Sequence, residues 1–364
     1  MSPRRAGSRQ QTDSGVLPLG FSPYEVLDEH PHVMVDGSPR RSSVLTLSHW
    51  PQSPTPSLFA RDLSAEIAFE FARHATGRAS PGSRRERAAA AAAVEACRRA
   101  EAVTCDHFDE DGLMSVLVLT DPAFCFEHER LVVEAARCGD YGVVTTEEAA
   151  RVAFAIGPLA EQEAGEGAGT SERYAAVLER IRDLIEQPGD YEALWHEEMQ
   201  LYRVGRAAIE RGDVVIAEEP GDLAVVSRPG AGGSAPRLVG ATGGLPVHAA
   251  AVHSSTSCSR VLAFDGARCE LYLRYEGWVK LVSRTVPLRP DLAPLAAELS
   301  AMEPGPVLWE ANAVGAIVGR LRPADEGVTE LAPGIVVDAV RTYLEKAPPA
   351  WDPFRAGGAL LPPS

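Results

Sequence analysis

Positive charge is what this sequence has least of. Against 51 aspartates and glutamates stand 35 lysines and arginines, which leaves a net charge of −16. A surface that tracks a phosphate backbone needs stripes of Lys and Arg, so no nucleic-acid partner held by bulk charge is expected. A small basic pocket for one phosphorylated ligand stays open, and so does a site that gathers carboxylates around a cation. Paired cysteines are also missing. Cys97, Cys105, Cys125, Cys138, Cys258 and Cys269 include no C-x-x-C, which removes a zinc ribbon and a thioredoxin-like motif. Such scattered cysteines read as small buried apolar residues with reduced thiols. No stretch reaches the ~18 apolar residues of a membrane span. Met1 to Gln11 is basic and polar with no apolar run behind it, so no secretory leader is expected either. The expected location is cytoplasmic, with no membrane partner. No internal repeat is visible, and no Gly-x-Ser-x-Gly marks a serine hydrolase.

What is present is ample for a core. The 364 residues are 45% hydrophobic and 24% charged, the balance of a globular chain of about two domains. Residues 1–20, rich in Ser, Arg, Gln and Gly, read as a disordered tail. Residues 21–165 read as an α/β domain. Strands are predicted at His32–Gly37, Val44–His49 and Ala102–Cys105. Helices are predicted from Asp62 or Ser64 to His74, over Ala88–Ala100, from Gly112 to Leu119 and over Leu131–Arg137. Residues 166–212 read as a helical connector, with helices over Arg173–Gln187 and Tyr191–Gly212. Residues 213–346 read as a smaller α+β domain. It holds a hairpin (Asp213–Ala217 with Asp222–Arg228), strands at Arg260–Phe264, Glu270–Tyr275 and Trp278–Ser283, and a helix over Leu292–Met302. Residues 347–364, rich in Pro and Gly, read as a loose tail. The fold class expected is α/β: a partly parallel sheet flanked by helices, with the α+β domain C-terminal to it.

The most specific stretch is Cys105-Asp106-His107-Phe108-Asp109-Glu110-Asp111-Gly112-Leu113-Met114-Ser115. A short strand feeds a His-x-Asp-x-Asp-Gly turn, and the turn feeds a helix. Alternate residues leaving a strand point the same way, so His107, Asp109 and Asp111 converge at its end. An imidazole beside carboxylates suits Mn²⁺ or Mg²⁺. A helix starting at Gly112 would offer free N–H groups to an anion. A cation beside an anion site is what phosphoryl hydrolysis needs. The competing reading is a polar turn that caps a helix.

Asp109-Glu110-Asp111-Gly112-Leu113-Met114-Ser115 resembles the first motif of the DHH phosphoesterases, Asp-x-Asp-Gly-x-x-Ser. That superfamily includes RecJ-type nucleases, exopolyphosphatases and manganese pyrophosphatases. The resemblance implies that Asp109 and Asp111 bind a pair of divalent metals, and several members carry a His where His107 stands. The Asp-His-His triplet of the superfamily is absent; His30-Pro31-His32 lacks its spacing. Gly243-Gly244-Leu245-Pro246-Val247-His248 is faintly similar to the superfamily's glycine-rich substrate motif. Over its length the chain also resembles an uncharacterised bacterial family, a domain of unknown function. The segments that carry this likeness are Ser48-His49-Trp50-Pro51 through Thr55-Pro56, then Asp62-x-Ser64-x-Glu66, then the His107 motif.

Other residues compete for the same role. His49 ends one predicted strand as His107 ends another, and strand ends of one α/β sheet face one crevice. Asp62 and Glu66, at i and i+4, share a helix face. Alternatively Asp62 caps that helix and Glu66 is solvated. Asp140, in Cys138-Gly139-Asp140-Tyr141-Gly142, is a further carboxylate candidate, with a turn residue as the plainer reading. His248 and His253, five apart, read as structural. Trp195-His196-Glu197-Glu198 lacks the second histidine of a zincin and reads as a helix surface with Trp195 in the core. Arg260, Arg274, Lys280 and Arg284 divide between a phosphate pocket and solvated strand faces. The function expected is a metal-dependent hydrolase of a phosphoester or phosphoanhydride, acting on a small phosphorylated substrate. His107, Asp109 and Asp111 would hold Mn²⁺ or Mg²⁺, with His49, Asp62 and Asp140 as further ligands. The alternative is a non-catalytic ligand- or partner-binding protein on a degenerate DHH-like scaffold, which the missing triplet favours. A nucleophilic Cys105 or Ser115 has no surrounding motif in support.

Overall fold

The computed structural model describes residues 15–27, 29–228, 247–324, 327–356 and 358–361. The first half of the chain is built on three short strands, β1 (His32–Val35), β2 (Ser43–Leu47) and β3 (Ala102–Thr104). They form a parallel sheet in the order β2-β1-β3. β1 is buried along its whole length, as a central parallel strand covered on both faces must be. Parallel neighbours need crossovers, and α1 (Ser64–Ala75) and α2 (Arg84–Arg98) lie between β2 and β3. After β3 come α3 (Glu110–Thr120), α4 (Pro122–Glu127), α5 (Glu129–Tyr141), α6 (Glu147–Ala164), α7 (Thr170–Leu178), α8 (Ile181–Glu186) and α9 (Glu192–Glu210).

α3 is the axis of this half. Every residue from Asp111 to Leu119 is buried, which fits a helix apolar nearly all round. It packs against α1 and α5. Gly112 is required here: a Cβ would come within 2.7 Å of the Tyr174 hydroxyl, so glycine lets α7 close on the start of α3.

The second half holds β4 (Val215–Glu219), β5 (Leu223–Ser227), α10 (Ala249–His253), β6 (Arg260–Asp265) and β7 (Arg268–Leu273). β8 (Arg289–Pro290), α11 (Ala293–Met302), β9 (Trp309–Ala311), β10 (Gly319–Pro323), α12 (Pro333–Lys346) and β11 (Pro349–Trp351) follow. Six of these strands form a mixed sheet in the order β4-β5-β6-β7-β10-β9, in which only β5 and β6 run parallel. The chain is thus an α/β protein with a smaller sheet region C-terminal to the first. The predicted hairpin at 213–228 forms.

Several expectations are corrected. The N-terminal tail ends earlier than residue 20, because Leu19 is buried and its N–H bonds the Leu119 carbonyl at 2.9 Å. Residues 1–14 and the glycine stretch at 243–246 lie outside the described residues. The helix predicted over Arg173–Gln187 is two helices, α7 and α8, broken between Leu178 and Ile181. Trp278–Ser283 is not a strand: a 3₁₀ turn at Tyr275–Gly277 leads into irregular chain that packs on the first half. Strand β7 is buried on both faces from Cys269 to Leu273, so its polar residues are not a solvated face. Arg260 is buried and bonds the carbonyls of Gly221 and Leu288, and Lys280 reaches the Ser53 carbonyl. Beyond Lys346 the chain is anchored rather than loose: β11 pairs with β8, and Trp351 stacks 5.9 Å from Trp278.

Candidate metal centre

Three chain segments leave the carboxyl ends of the parallel strands, and each carries a metal-ligating type of side chain. Asp36 follows β1, His49 follows β2, and His107 follows β3. This is the edge of an α/β sheet at which ligands bind. Asp36 is fully buried and sits at φ 44°, a left-handed conformation that Asp tolerates better than most residues.

The Asp36 carboxylate stands between the two histidines. Its Oδ1 lies 3.4 Å from His49 Nε2, and its Oδ2 lies 3.3 Å from His107 Nε2. Oδ1 accepts a hydrogen bond from Ser64 Oγ at 2.7 Å, whereas Oδ2 has no hydrogen-bond partner. Around His49 Nε2 also gather Asp140 Oδ2 at 3.5 Å and Asp111 Oδ2 at 3.9 Å. Asp140 Oδ2 is buried and unpartnered as well. Around His107 Nε2 gathers Asp109 Oδ2 at 2.8 Å. Two donors on one ion, each bonded at about 2.0–2.2 Å, lie roughly 3 Å or slightly more from one another. The separations here are of that size.

The histidine nitrogens are placed for ligation as well. His49 Nδ1 sits 2.5 Å from the Asp62 carbonyl, which can only accept, so Nδ1 carries the hydrogen. His107 has a carboxylate at each nitrogen, Asp106 Oδ1 2.9 Å from Nδ1 and Asp109 Oδ2 2.8 Å from Nε2. A neutral His49 ring would turn a lone pair, at Nε2, toward carboxylate oxygens, whereas a proton there makes the ring a cation among them, the form those carboxylates favour. A proton or a metal ion on Nε2 satisfies those oxygens, and an outer oxygen on the distal nitrogen is the usual partner of a metal-bound histidine. Tyr275 adds a hydroxyl 3.2 Å from His49 Nε2.

Two helix N-termini hold the carboxylates in place. Asp111 Oδ2 and Oδ1 accept the N–H groups of Ser64 (2.7 Å) and Ala65 (2.8 Å) at the start of α1. Asp109 Oδ1 caps α3 by accepting from Gly112 N at 2.8 Å. The start of α3 therefore does not offer those N–H groups to an external anion. The helix begins at Glu110, and in its first turn the Gly112 N–H is taken by the motif's own carboxylate.

Among the described residues none of the four carboxylates pairs with a lysine or arginine. Burial, with the charge of Asp36 behind it, pushes the Asp111 carboxyl up to about 8. Burial and Asp111 push Asp140 well above the usual carboxylate range. Burial alone would raise Asp36 too, but the two histidines facing its oxygens outweigh burial and hold that group below its ordinary value. Both histidines move up, because their carboxylate partners outweigh burial. The site attracts positive charge and is undersupplied with it.

His107, Asp109, Asp111, His49 and Asp140 all come together here. Asp140 lies in α5, not in a turn, one residue before the helix ends. Asp62 does not present its carboxylate to the cluster. Its Oδ1 accepts the N–H groups of Val282 (2.7 Å) and Ser283 (2.9 Å), and it is no helix cap, since Leu63 occupies that position. Glu66 bonds Leu63 N and pairs with Arg137 at 3.0 Å. Ser115 is buried with no partner for Oγ, so it does not bond within the motif turn. Cys105 is raised to about 11 by burial, a protonated thiol at neutral pH rather than a nucleophile. His248 caps α10, and His253 bonds Tyr141 O and Tyr272 Oη, both structural roles. Sequence reasoning missed Asp36 and Tyr275. Asp36 had a signal: an apolar strand run ends in it just as the runs before His49 and His107 end in theirs.

The side chains of His107 and Asp109 are 31% and 32% exposed, while those of Asp36 and His49 are fully buried. The centre thus has one open side, roofed in part by Trp50, whose ring lies 5.0 Å from that of His107. Neither a curated protein nor a solved structure matches the chain. The sequence model of one family, described as a family of unknown function (DUF6687), matches residues 17–354, and the chain belongs to that family.

Proposed function

We propose that the chain is a divalent-metal-dependent hydrolase of a phosphoester or phosphoanhydride. The observation that carries this is the buried Asp36 carboxylate, each of whose oxygens faces the Nε2 of a different histidine. One carboxylate shared by two imidazoles fits a pair of ions. His49, Asp111 and Asp140 would serve one, His107 and Asp109 the other, and Asp36 both. All these donors are oxygen or imidazole nitrogen, the set that suits Mn²⁺ or Mg²⁺. Ions bound there would supply a water of lowered pKa and neutralise charge on a phosphoryl group. Asp62 and Asp106 orient the two imidazoles through Nδ1. Ser64 and Ala65 fix Asp111, and the Tyr275 hydroxyl is a donor for a substrate oxygen that reaches the His49 side. The likeness of the His107 motif to DHH phosphoesterases supports the same chemistry.

The test is metal analysis of the purified protein after Mn²⁺ loading and desalting, followed by a screen with bis-p-nitrophenyl phosphate and pyrophosphate. Retained Mn²⁺ that is lost in an Asp109→Ala/Asp111→Ala double variant, with turnover that follows it, is the expected result. A wild type that retains no divalent ion sinks the proposal. Retained ion without turnover on either substrate leaves the non-catalytic reading instead.

A further inference from the structure

We propose that the cavity beside Asp140 binds the nucleoside part of the substrate. This deepens the hydrolase reading and rests on it only for the phosphate end. The cavity has a volume of about 290 Å³, at the lower edge of the ~300–1,000 Å³ usual for small-molecule sites. It lies between the C-terminal end of α5, helix α10, and strands β7 and β10 with the turn after β7. Asp140 and Tyr275 line it. Both also stand at the metal centre, within 3.5 Å of His49 Nε2. A molecule with its phosphate on the metal ligands can therefore lay its organic part here.

The walls select a flat, neutral group with a polar edge. Tyr272 and Tyr275 supply aromatic surface on which a planar ring can stack. Arg274 and Glu276 also line the cavity, and both are more than nine-tenths buried. The terminal nitrogens of Arg274 are committed to the carbonyls of Thr256, Cys258 and Tyr141 and to Glu276 Oε1. Its Nε–H has no acceptor, and Glu276 Oε2 has no donor. Buried groups left so are costly, and a small shift that turned them to the cavity wall would let a ligand with an acceptor next to a donor satisfy both. Nucleobases carry such an edge without net charge, whereas phosphate and pyrophosphate bring a P–OH beside an oxygen only together with negative charge. A second anionic group is disfavoured, because Asp140, Glu270 and Glu276 line the cavity against Arg274 and Arg320, and Arg320 is already paired with Glu270.

The experiment is calorimetric titration of the full chain, with and without Mn²⁺. Adenosine, guanosine, their 5′-monophosphates and inorganic phosphate are the probes. A nucleoside is expected to bind in either condition. With Mn²⁺ its monophosphate is expected to bind at least about tenfold tighter than phosphate. Val318→Trp, which drives an indole into the cavity from its wall, should remove nucleoside binding and the monophosphate's advantage while Mn²⁺ uptake stays. Should that variant not fold, the isosteric Glu276→Gln carries the test and should weaken the nucleoside alone. Equal binding of monophosphate and phosphate, or an advantage that survives these variants, overturns the proposal. Mn²⁺ uptake with no nucleoside binding overturns it but spares the metal reading. Nucleoside binding with no Mn²⁺ uptake upholds the cavity site and defeats the hydrolase.

Discussion

Asp140 shows at the residue scale how function and stability oppose each other in this site. Its carboxylate is buried against Asp111 and Asp36, with one oxygen lacking a hydrogen bond and no lysine or arginine among the described residues to relieve it. Asp140→Asn removes the charge and keeps the shape. The metal-free protein should gain about 1–2 kcal/mol, as sites under functional strain commonly do when neutralised. The rise in melting temperature that Mn²⁺ gives the wild type should largely vanish. Differential scanning fluorimetry with and without Mn²⁺ reads both effects, and an unstabilised metal-free variant contradicts the account. His253 gives a pH dependence with a definite sign. Burial, then the charge of Arg274, lowers its pKa from 6.5 to about 3. Between those values the unfolded chain binds a proton that the folded chain does not, so stability falls as pH drops through 6.5 toward 3. The slope is up to ~1.4 kcal/mol per unit. His253→Gln should reduce the stability lost between pH 7 and pH 5, measured by urea unfolding, by on the order of 2 kcal/mol. An unchanged loss refutes the assignment. The residues legible in the sequence were those that chemistry places close along the chain: His107, Asp109 and Asp111 lie within five positions. Asp36 and Asp140 are separated from them by tens of residues. Asp140 could be named from the sequence as a further carboxylate, but only the folding of β1 beside β3 and of α5 beside α3 brings it and Asp36 to the site.

At the scale of elements, the N-terminus of α1 does what the motif helix was expected to do. Its first N–H groups hold Asp111, and Ser64 Oγ donates to Asp36 Oδ1 while accepting from His49 N at 3.2 Å. One hydroxyl thus ties two strand-end segments to one helix start, whose backbone N–H groups hold the third through Asp111. Ser64→Ala removes it without touching any proposed ligand. The expected cost is about 1–2 kcal/mol of stability. Loss of an outer hydrogen bond to a metal ligand should also weaken Mn²⁺ binding by roughly 10- to 100-fold. A Mn²⁺ titration of the variant decides it: wild-type affinity means that Ser64 only packs. Helix positions were legible because α1, α3, α5 and α9 carry long apolar patterns. The caps were less so. Asp62 preceded an apolar run and read as a cap, but its carboxylate was claimed by two backbone N–H groups more than 200 residues away. The predicted strand at Trp278–Ser283 failed for a related reason. Trp278, Val279 and Leu281 are apolar because they fill the core of the first half, not because they pair in a sheet.

At the scale of the whole molecule, the proposed metal centre lies where the two sheets' surroundings meet, and the C-terminal half completes it. Tyr275 reaches His49, and Trp278 continues the aromatic contact to Trp50 at 5.2 Å and to Trp351. The Asp62 carboxylate fastens residues 282–283 to the first half, while its carbonyl orients His49. These two roles separate cleanly on mutation, because a side-chain change spares the carbonyl. Asp62→Ala should leave two backbone N–H groups without their acceptor, at a cost of about 1–3 kcal/mol. It should also free the segment 279–284 for proteolysis. Mn²⁺ stoichiometry should stay at the wild-type value, since no Asp62 oxygen of the side chain faces the cluster. Turnover should fall if Tyr275, a few residues upstream of the released segment, loses its place beside His49. Limited trypsin digestion, in which Lys280 and Arg284 flank the clip, combined with metal analysis, separates the outcomes. Cleavage at those sites with full metal content supports a clip between the halves. Loss of an ion instead makes Asp62 the ligand that its position in the sequence first suggested.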